Sequence, residues 1–187
     1  MYMLELNFSP FPEIKTKRLL LRKMTKADAT ELLFLRSDEN VMQYIGREKI
    51  KTVEEAEGYI QKINTAVDAN ESIMWAIALP DGPGNMIGTI CFWNILKEHY
   101  RAEVGYMLHP GFWNKGLMKE ALLAAIDYGF NQIKLHSIEG HINPANAVSG
   151  ILLEKCGFIK EAYFKESYYF NGAFIDSEIY SLINKSE

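Results

Sequence analysis

The stretch HPGFWNKGLMKEALLAAIDYGF, residues 109–130, holds a helix with an unusual beginning. Leu117, Met118, Ala121, Leu122, Ala125, Ile126 and Phe130 recur at helical spacing and form one apolar face. The approach to that face carries two glycines, two lysines and a tryptophan, with no Asp, Ser or Thr placed as an N-cap. A helix start normally has its first free N–H groups satisfied by a side-chain oxygen. An uncapped start is instead a site for an anion, because those N–H groups converge and the helix dipole adds about half a positive charge. Gly111 and Gly116 allow close backbone approach, Lys115 and Lys119 add charge, and the first acidic residue is Glu120. A pyrophosphate meets these conditions, and so does a plain loop whose N–H groups face water. Neither a P-loop nor a Rossmann fingerprint is present.

Outward from this helix the chain reads as alternating elements. Strands are predicted over 18–24, 72–79, 86–95, 101–108 and 135–142. Thr25 with Asp28, and Thr52 with Glu55, mark two helix starts. The second of those helices buries Ala56, Tyr59, Ile60, Ile63 and Val67. PDGPGN, residues 80–85, is dense turn chemistry between two strands. Gly105 inside a strand suggests a bulge or a close backbone approach. In NPANAVSGILLEKCGF, Asn143 is expected as N-cap, Pro144 at the first helical position and Gly157 as C-cap. Asn171–Gly172 marks a tight turn between two long C-terminal strands. The order β, α, α, three strands, α, β, α, β, β implies an α+β fold, a mixed sheet with helices on both faces.

The 187 residues, 48% hydrophobic, suit one domain over 1–187. A net charge of −4 argues against direct nucleic-acid binding. Cys91 and Cys156 read as reduced, half-buried thiols of a cytoplasmic protein. No signal peptide or membrane span is evident, and the four histidines show no metal-ligand spacing.

EVGYMLHPGFWNKGLMKEAL followed by NPANAVSGILLEKCGF resembles the two signature regions of the GNAT acetyltransferase superfamily. More narrowly the chain resembles the ribosomal-protein N-terminal (alanine/serine) acetyltransferases, with TKRLLLRKMTKADATELLFLRSDENVMQYIG similar to their opening and MIGTICFWNI to their hairpin. The resemblance implies a central, mostly antiparallel sheet in which the strand of Val104–Leu108 splays from the strand at 135–142. It implies acetyl-CoA as cosubstrate, with no metal. The backbone N–H groups of Asn114, Lys115, Gly116, Leu117, Met118 and Lys119 would wrap its pyrophosphate, Asn146 would touch its arm, and Gly105 would form the bulge that begins the splay. Two loop positions depart from the usual pattern, Trp113 for Gln or Arg and Met118 for Gly or Ala. Leu153 stands where many relatives carry a tyrosine as general acid.

Acetyl transfer needs a neutral amine, a polarised carbonyl and a leaving thiolate. A protein α-amine has a pKa near 8, so about a tenth is free base at pH 7, and one modest base suffices. Glu103 is the first candidate base and Glu139 the second. Ser149 is the nearest hydroxyl for the sulfur, and its other reading is a helix serine bonded back to a carbonyl. A strand N–H at Met107 or Leu108 would hold the carbonyl oxygen. Tyr44, in the loop placed over the acceptor groove, and Trp75 are the substrate candidates. The aromatics Trp75, Phe92, Trp93, Tyr106, Phe112 and Trp113 also read as core. The expected activity is transfer to a peptide N-terminal α-amine, with a small amine metabolite or antibiotic, or a non-catalytic acyl-CoA-binding module, as alternatives. The C-terminal hairpin could mediate a homodimer.

Overall fold

The computed structural model describes residues 3–80 and 86–185. Eight strands form one sheet, in the order β1 (Ile14–Lys15), β2 (Leu20–Arg22), β3 (Ile73–Ala78), β4 (Met86–Leu96), β5 (Arg101–Leu108), β6 (Ser137–Ile142), β8 (Ala173–Ile183), β7 (Ile159–Phe170). Every neighbouring pair is antiparallel except β5 and β6. The helices are α1 (Ala29–Ser37), α2 (Glu39–Met42), α3 (Val53–Asp68), α4 (Leu117–Tyr128) and α5 (Ala147–Lys155). None of the helices among the described residues is long and apolar enough to cross a membrane. The turn read into residues 81–85 lies outside the described residues.

Side chains alternate across the strands, so the sheet buries two cores. On one face Trp75, Phe92, Ala102, Val104, Leu108 and Ile138 pack with Leu117, Ala121, Leu122 and Ala125 of α4 and Leu153 of α5. On the other, Ala76 and Met86 pack with Leu32 and Leu35 of α1 and Ala56 and Ile60 of α3, with Met107 against them. The apolar faces predicted for α3 and α4 are the buried ones. DENVM, residues 38–42, contains the short helix α2, which Asp38 caps through the N–H groups of Asn40 and Val41 and which buries Val41 and Met42. Asn171–Gly172 closes the β7–β8 hairpin, with Phe170 opposite Ala173.

Three local expectations are corrected. Asn143 does not cap α5. Its side chain closes a small turn by accepting from Ala145 N–H at 2.9 Å, and the helix begins three residues later, capped by Asn146. The signal was ambiguous because an asparagine can fold over its own following backbone as readily as cap a helix. Gly105 is not a bulge either. It sits in regular register opposite Cys91, and a Cβ there would lie 3.2 Å from the Cys91 sulfur. The irregularity lies across the ladder in β4, between Trp93 and Leu96, where Asn94 takes a left-handed φ of 48°. Finally, the predicted first helix opens with a separate 3-10 turn, Lys26–Asp28, before α1.

That turn is anchored by a buried carboxylate. Asp28 is fully buried and accepts from Arg22 Nη1 at 2.8 Å and Nη2 at 2.6 Å, and from the Thr25 N–H at 2.8 Å. Burial opposes its ionisation, but the hydrogen bonds from Arg22 and Thr25 outweigh it and hold the carboxyl below its ordinary range. A depressed carboxyl contributes stability above its unfolded pKa, near 3.9, and loses it as pH falls through the folded value. Asp28→Asn is therefore expected to cost about 3 kcal/mol at pH 7, because it strands a buried partner. The gap between variant and wild type should narrow at pH 3. Urea unfolding at the two pH values checks both statements.

Candidate active site

The site is organised by where β5 and β6 stop pairing. Their ladder comprises Arg101 with Ser137, Ala102 with Ile138 and Glu103 with Glu139, and it ends there. From Val104 to Leu108, β5 runs free of β6, which is the splay the resemblance implied. Strand alternation assigns the backbone groups facing this gap. His109 N–H donates to Ile87 O across the β4 ladder at 2.7 Å, so the N–H groups of Met107 and His109 point to β4. Those of Tyr106 and Leu108 then point to the gap. This keeps Leu108 as a donor for a ligand lying there and removes Met107, whose side chain packs against the α1–α3 core.

At the lower end of the gap the two candidate bases sit in register on the α1–α3 face. Glu103 is buried, at 9% exposure. Burial pushes its carboxyl above the ordinary value, and the charge of Glu139 adds to this, against His141, the hydrogen-bonding side chain of Asn94, and Arg47. The left-handed bulge residue Asn94 thus serves Glu103 directly. Glu139 is differently placed. It is paired with Arg101 Nη1 at 3.1 Å and with His141 Nε2 at 3.2 Å. Arg101 pairs with Glu139 and not with Glu103, so Glu103 is the less engaged of the two carboxylates.

On the opposite face Ser149 is buried near the start of α5, where its N–H is capped by Asn146 Oδ1 at 3.2 Å. Its hydroxyl lies 2.6 Å from Tyr106 Oη of β5. Burial pushes the Tyr106 phenol up to about 12, so the ring stays protonated at physiological pH. The sequence reading placed Tyr106 among the core aromatics and missed this contact, although Val104, Tyr106 and Leu108 share the face that α5 covers. Leu153 is fully buried in the core and is no proton donor.

The helix start after Gly116 is uncapped, as the sequence suggested. Gly116 has φ 71° and no side chain caps α4. The first backbone bond of the helix runs from Glu120 N–H to Gly116 O, leaving the N–H groups of Leu117, Met118 and Lys119 ahead of the ladder. Met118 and Leu117 bury their side chains, so they offer backbone alone. Lys115 and Lys119 are both exposed, and Lys115 Nζ donates to Gly111 O at 2.8 Å. Trp113 explains its departure from the usual pattern. Its indole N–H donates to Leu108 O at 2.7 Å and ties the loop to the end of β5. These features fit a pyrophosphate followed by an extended arm in the gap. Asn146 spends its side-chain oxygen on the α5 cap.

Of the substrate candidates, Tyr44 lies half-buried in the turn after α2. Trp75 does not face the site. It is fully buried, donates to Pro12 O at 2.7 Å, and meets Phe11, Phe92 and Tyr128 edge-on. Its indole is a core anchor with its one polar atom satisfied. The loop beyond Tyr44 instead places Arg47 over the Trp93 ring at 5.4 Å, and Gly46 against Tyr168 of β7. Among the described residues no three His, Cys, Asp or Glu side chains converge as a metal site.

The chain matches the acetyltransferase (GNAT) domain family over residues 18–159. It is 33% identical to an uncharacterized N-acetyltransferase of Bacillus subtilis (strain 168) over 177 residues, 95% of this chain and 99% of the relative. It is 36% identical to the [ribosomal protein uS5]-alanine N-acetyltransferase of Escherichia coli (strain K12) over 98 residues, 52% of this chain and 50% of that one. Spermidine N-acetyltransferase from Vibrio cholerae, solved in complex with CoA and spermine, superposes with a TM-score of 0.77 at 26% identity, covering 90% of this chain and 96% of that one. An uncapped helix start, a splayed strand pair beside it and a match over most of the length all lead to one conclusion: the chain belongs to the GNAT family of N-acetyltransferases.

Proposed function

We propose that this chain transfers the acetyl group of acetyl-CoA directly to a protein or peptide N-terminal α-amine. The observation that carries the reading is the placement of two unlike groups across one gap. Glu103 waits on one face of the sheet, and the Ser149–Tyr106 pair waits on the other. Bound acetyl-CoA would supply an activated thioester. The N–H groups of Asn114 to Lys119 would hold its phosphates, and the Leu108 N–H is aimed at the gap where the carbonyl oxygen would lie. Glu103 takes one proton from the incoming ammonium, directly or through water, and the second, released as the amide forms, passes to the departing thiolate. A carboxyl raised by burial is a better base than an exposed one, provided it is ionised at the working pH. With Tyr106 as the donor of the shared bond, the serine proton would be free to hydrogen-bond the departing sulfur. An alkyl thiol has a pKa near 8.5, so one hydrogen bond is adequate assistance.

The choice of acceptor rests on the charges around Glu103. Arg47 acts on it and Arg101 is taken up by Glu139, a mixed surrounding that suits a singly charged amine followed by peptide carbonyls. The uS5-alanine relative names an acceptor of that kind.

Three measurements test the proposal. Thiol release from acetyl-CoA should rise on adding a peptide with a free N-terminus and stay at background with the N-acetylated peptide. Faster release with spermidine would move the acceptor to small amines, and no release with any amine would leave a binding module. Acetyl-CoA at about 100 times its Kd should raise Tm by roughly 5–10 °C. Gly116→Asp, which sets a carboxylate where phosphate should sit, is expected to abolish that shift, and a wild-type shift would remove the loop from the site.

Glu103→Gln should lower kcat/KM about 100-fold at pH 6.5 and much less at pH 9.5. The base matters most while the amine is protonated, and Glu103 acts only above its own raised pKa. A loss from misplacing the amine would be the same factor at every pH. A constant ratio would transfer the role to Glu139 or a water chain.

A further inference from the structure

We propose that Arg18, from the turn between β1 and β2, is the positioning residue that arms the phosphate loop. The inference rests on the reading of residues 114–119 as the pyrophosphate site. Arg18 is 97 residues from Lys115 in the chain, yet its Nη1 donates to the Lys115 carbonyl at 2.9 Å. Its Nε donates to Glu120 Oε2 at 2.6 Å, and its backbone N–H to Glu120 Oε1 at 2.8 Å. Thr16 Oγ1 adds a bond to Glu120 Oε1 at 2.7 Å. A side chain built on Gly116 would begin 3.7 Å from Arg18 Nη2, so the guanidinium lies against the helix start itself.

Two consequences follow from this geometry. A trans peptide is planar, with its C=O and N–H pointing in opposite directions. Pinning the Lys115 carbonyl to Arg18 therefore turns the Gly116 N–H away from Arg18. Gly116 at φ 71° is a loop residue free to flip, and an unpinned plane could present its carbonyl to the anion instead. The second consequence is electrostatic. Glu120 in the first turn of α4 would repel a bound phosphate, and Arg18 with Thr16 engages its carboxylate; these bonds, against partial burial, hold the carboxyl below its ordinary value. An exposed ion pair adds little stability alone. Here the same guanidinium bridges two points of the loop, so its effect is on the loop's shape and charge.

The test compares donors with and without phosphates. Kd for acetyl-CoA is measured by calorimetry, and kcat/KM for S-acetyl-pantetheine serves as the phosphate-free reference. Arg18→Ala should weaken acetyl-CoA binding about tenfold or more. The change in kcat/KM for S-acetyl-pantetheine should be several times smaller. Arg18→Lys keeps the charge but cannot bridge Lys115 O and Glu120 together, so it should show a reduced loss with the same donor selectivity. It also serves if the alanine variant does not fold. An equal loss with both donors would overturn the proposal, because it marks a general structural role. Gly116→Asp runs in parallel. If it loses acetyl-CoA affinity while both Arg18 variants keep it, the loop reading stands and the role of Arg18 falls. If none of the variants loses affinity, both fall.

Discussion

Three residue pairs join β5 to β6, and the whole site depends on their number. The pairing has to exist, because among the described residues it is the ladder that joins the β1–β5 and β6–β8–β7 parts of the sheet. It also has to stop, because a continued parallel ladder would consume the N–H groups of Tyr106 and Leu108 and close the gap. The α4 crossover reconciles the two demands. Its buried face enters the same core as Val104, Leu108 and Ile138 of the two strands, so side-chain burial holds the sheet where hydrogen bonds do not. The unpaired backbone of β5 is then an edge inside a sheet, suited to an extended ligand that completes it as a further strand would.

The same seam separates the chemistry by face. Odd-numbered positions of β5 and β6, Glu103, Glu139 and His141 among them, look toward α1 and α3. Even-numbered positions, Tyr106 among them, look toward α4 and α5. Proton removal from an amine and hydrogen bonding to a thiolate want opposite surroundings, and strand alternation supplies two without added residues. The acidic face is moderated rather than neutralised. Glu139 is occupied by Arg101 and His141, while Glu103 keeps its capacity because its partner Asn94 is uncharged.

Legibility in the sequence followed the range of the interaction. The α4 face, the β7–β8 turn and the bare helix start were readable because their signals lie within a few residues. The splay came through the family resemblance rather than through spacing. What escaped was long-range or degenerate. Nothing near Arg18 in the sequence points to Glu120. The Ser149–Tyr106 bond joins residues 43 apart. Asn143 and Asn146 offer the same side chain to two different turns, and geometry alone separates them. Trp75 reads in the sequence both as a substrate candidate and as core, and its bond to Pro12 shows the core indole needing a backbone acceptor. The β4 irregularity was placed at Gly105 because glycine is the usual signal, whereas an asparagine in a left-handed conformation carries it.

The contact between Gly46 and Tyr168 ties together parts of the chain that the two faces keep apart. A Cβ at 46 would lie 2.8 Å from the Tyr168 ring, which also hydrogen-bonds the Asn143 side chain at the head of the segment leading to Asn146 and Ser149. The loop after α2, the C-terminal hairpin and the α5 entry therefore meet at one ring. A side chain at 46 would require the Tyr168 ring to move, and a moved ring would carry its bond to Asn143 with it, so a change in the loop would be felt at the entry to α5.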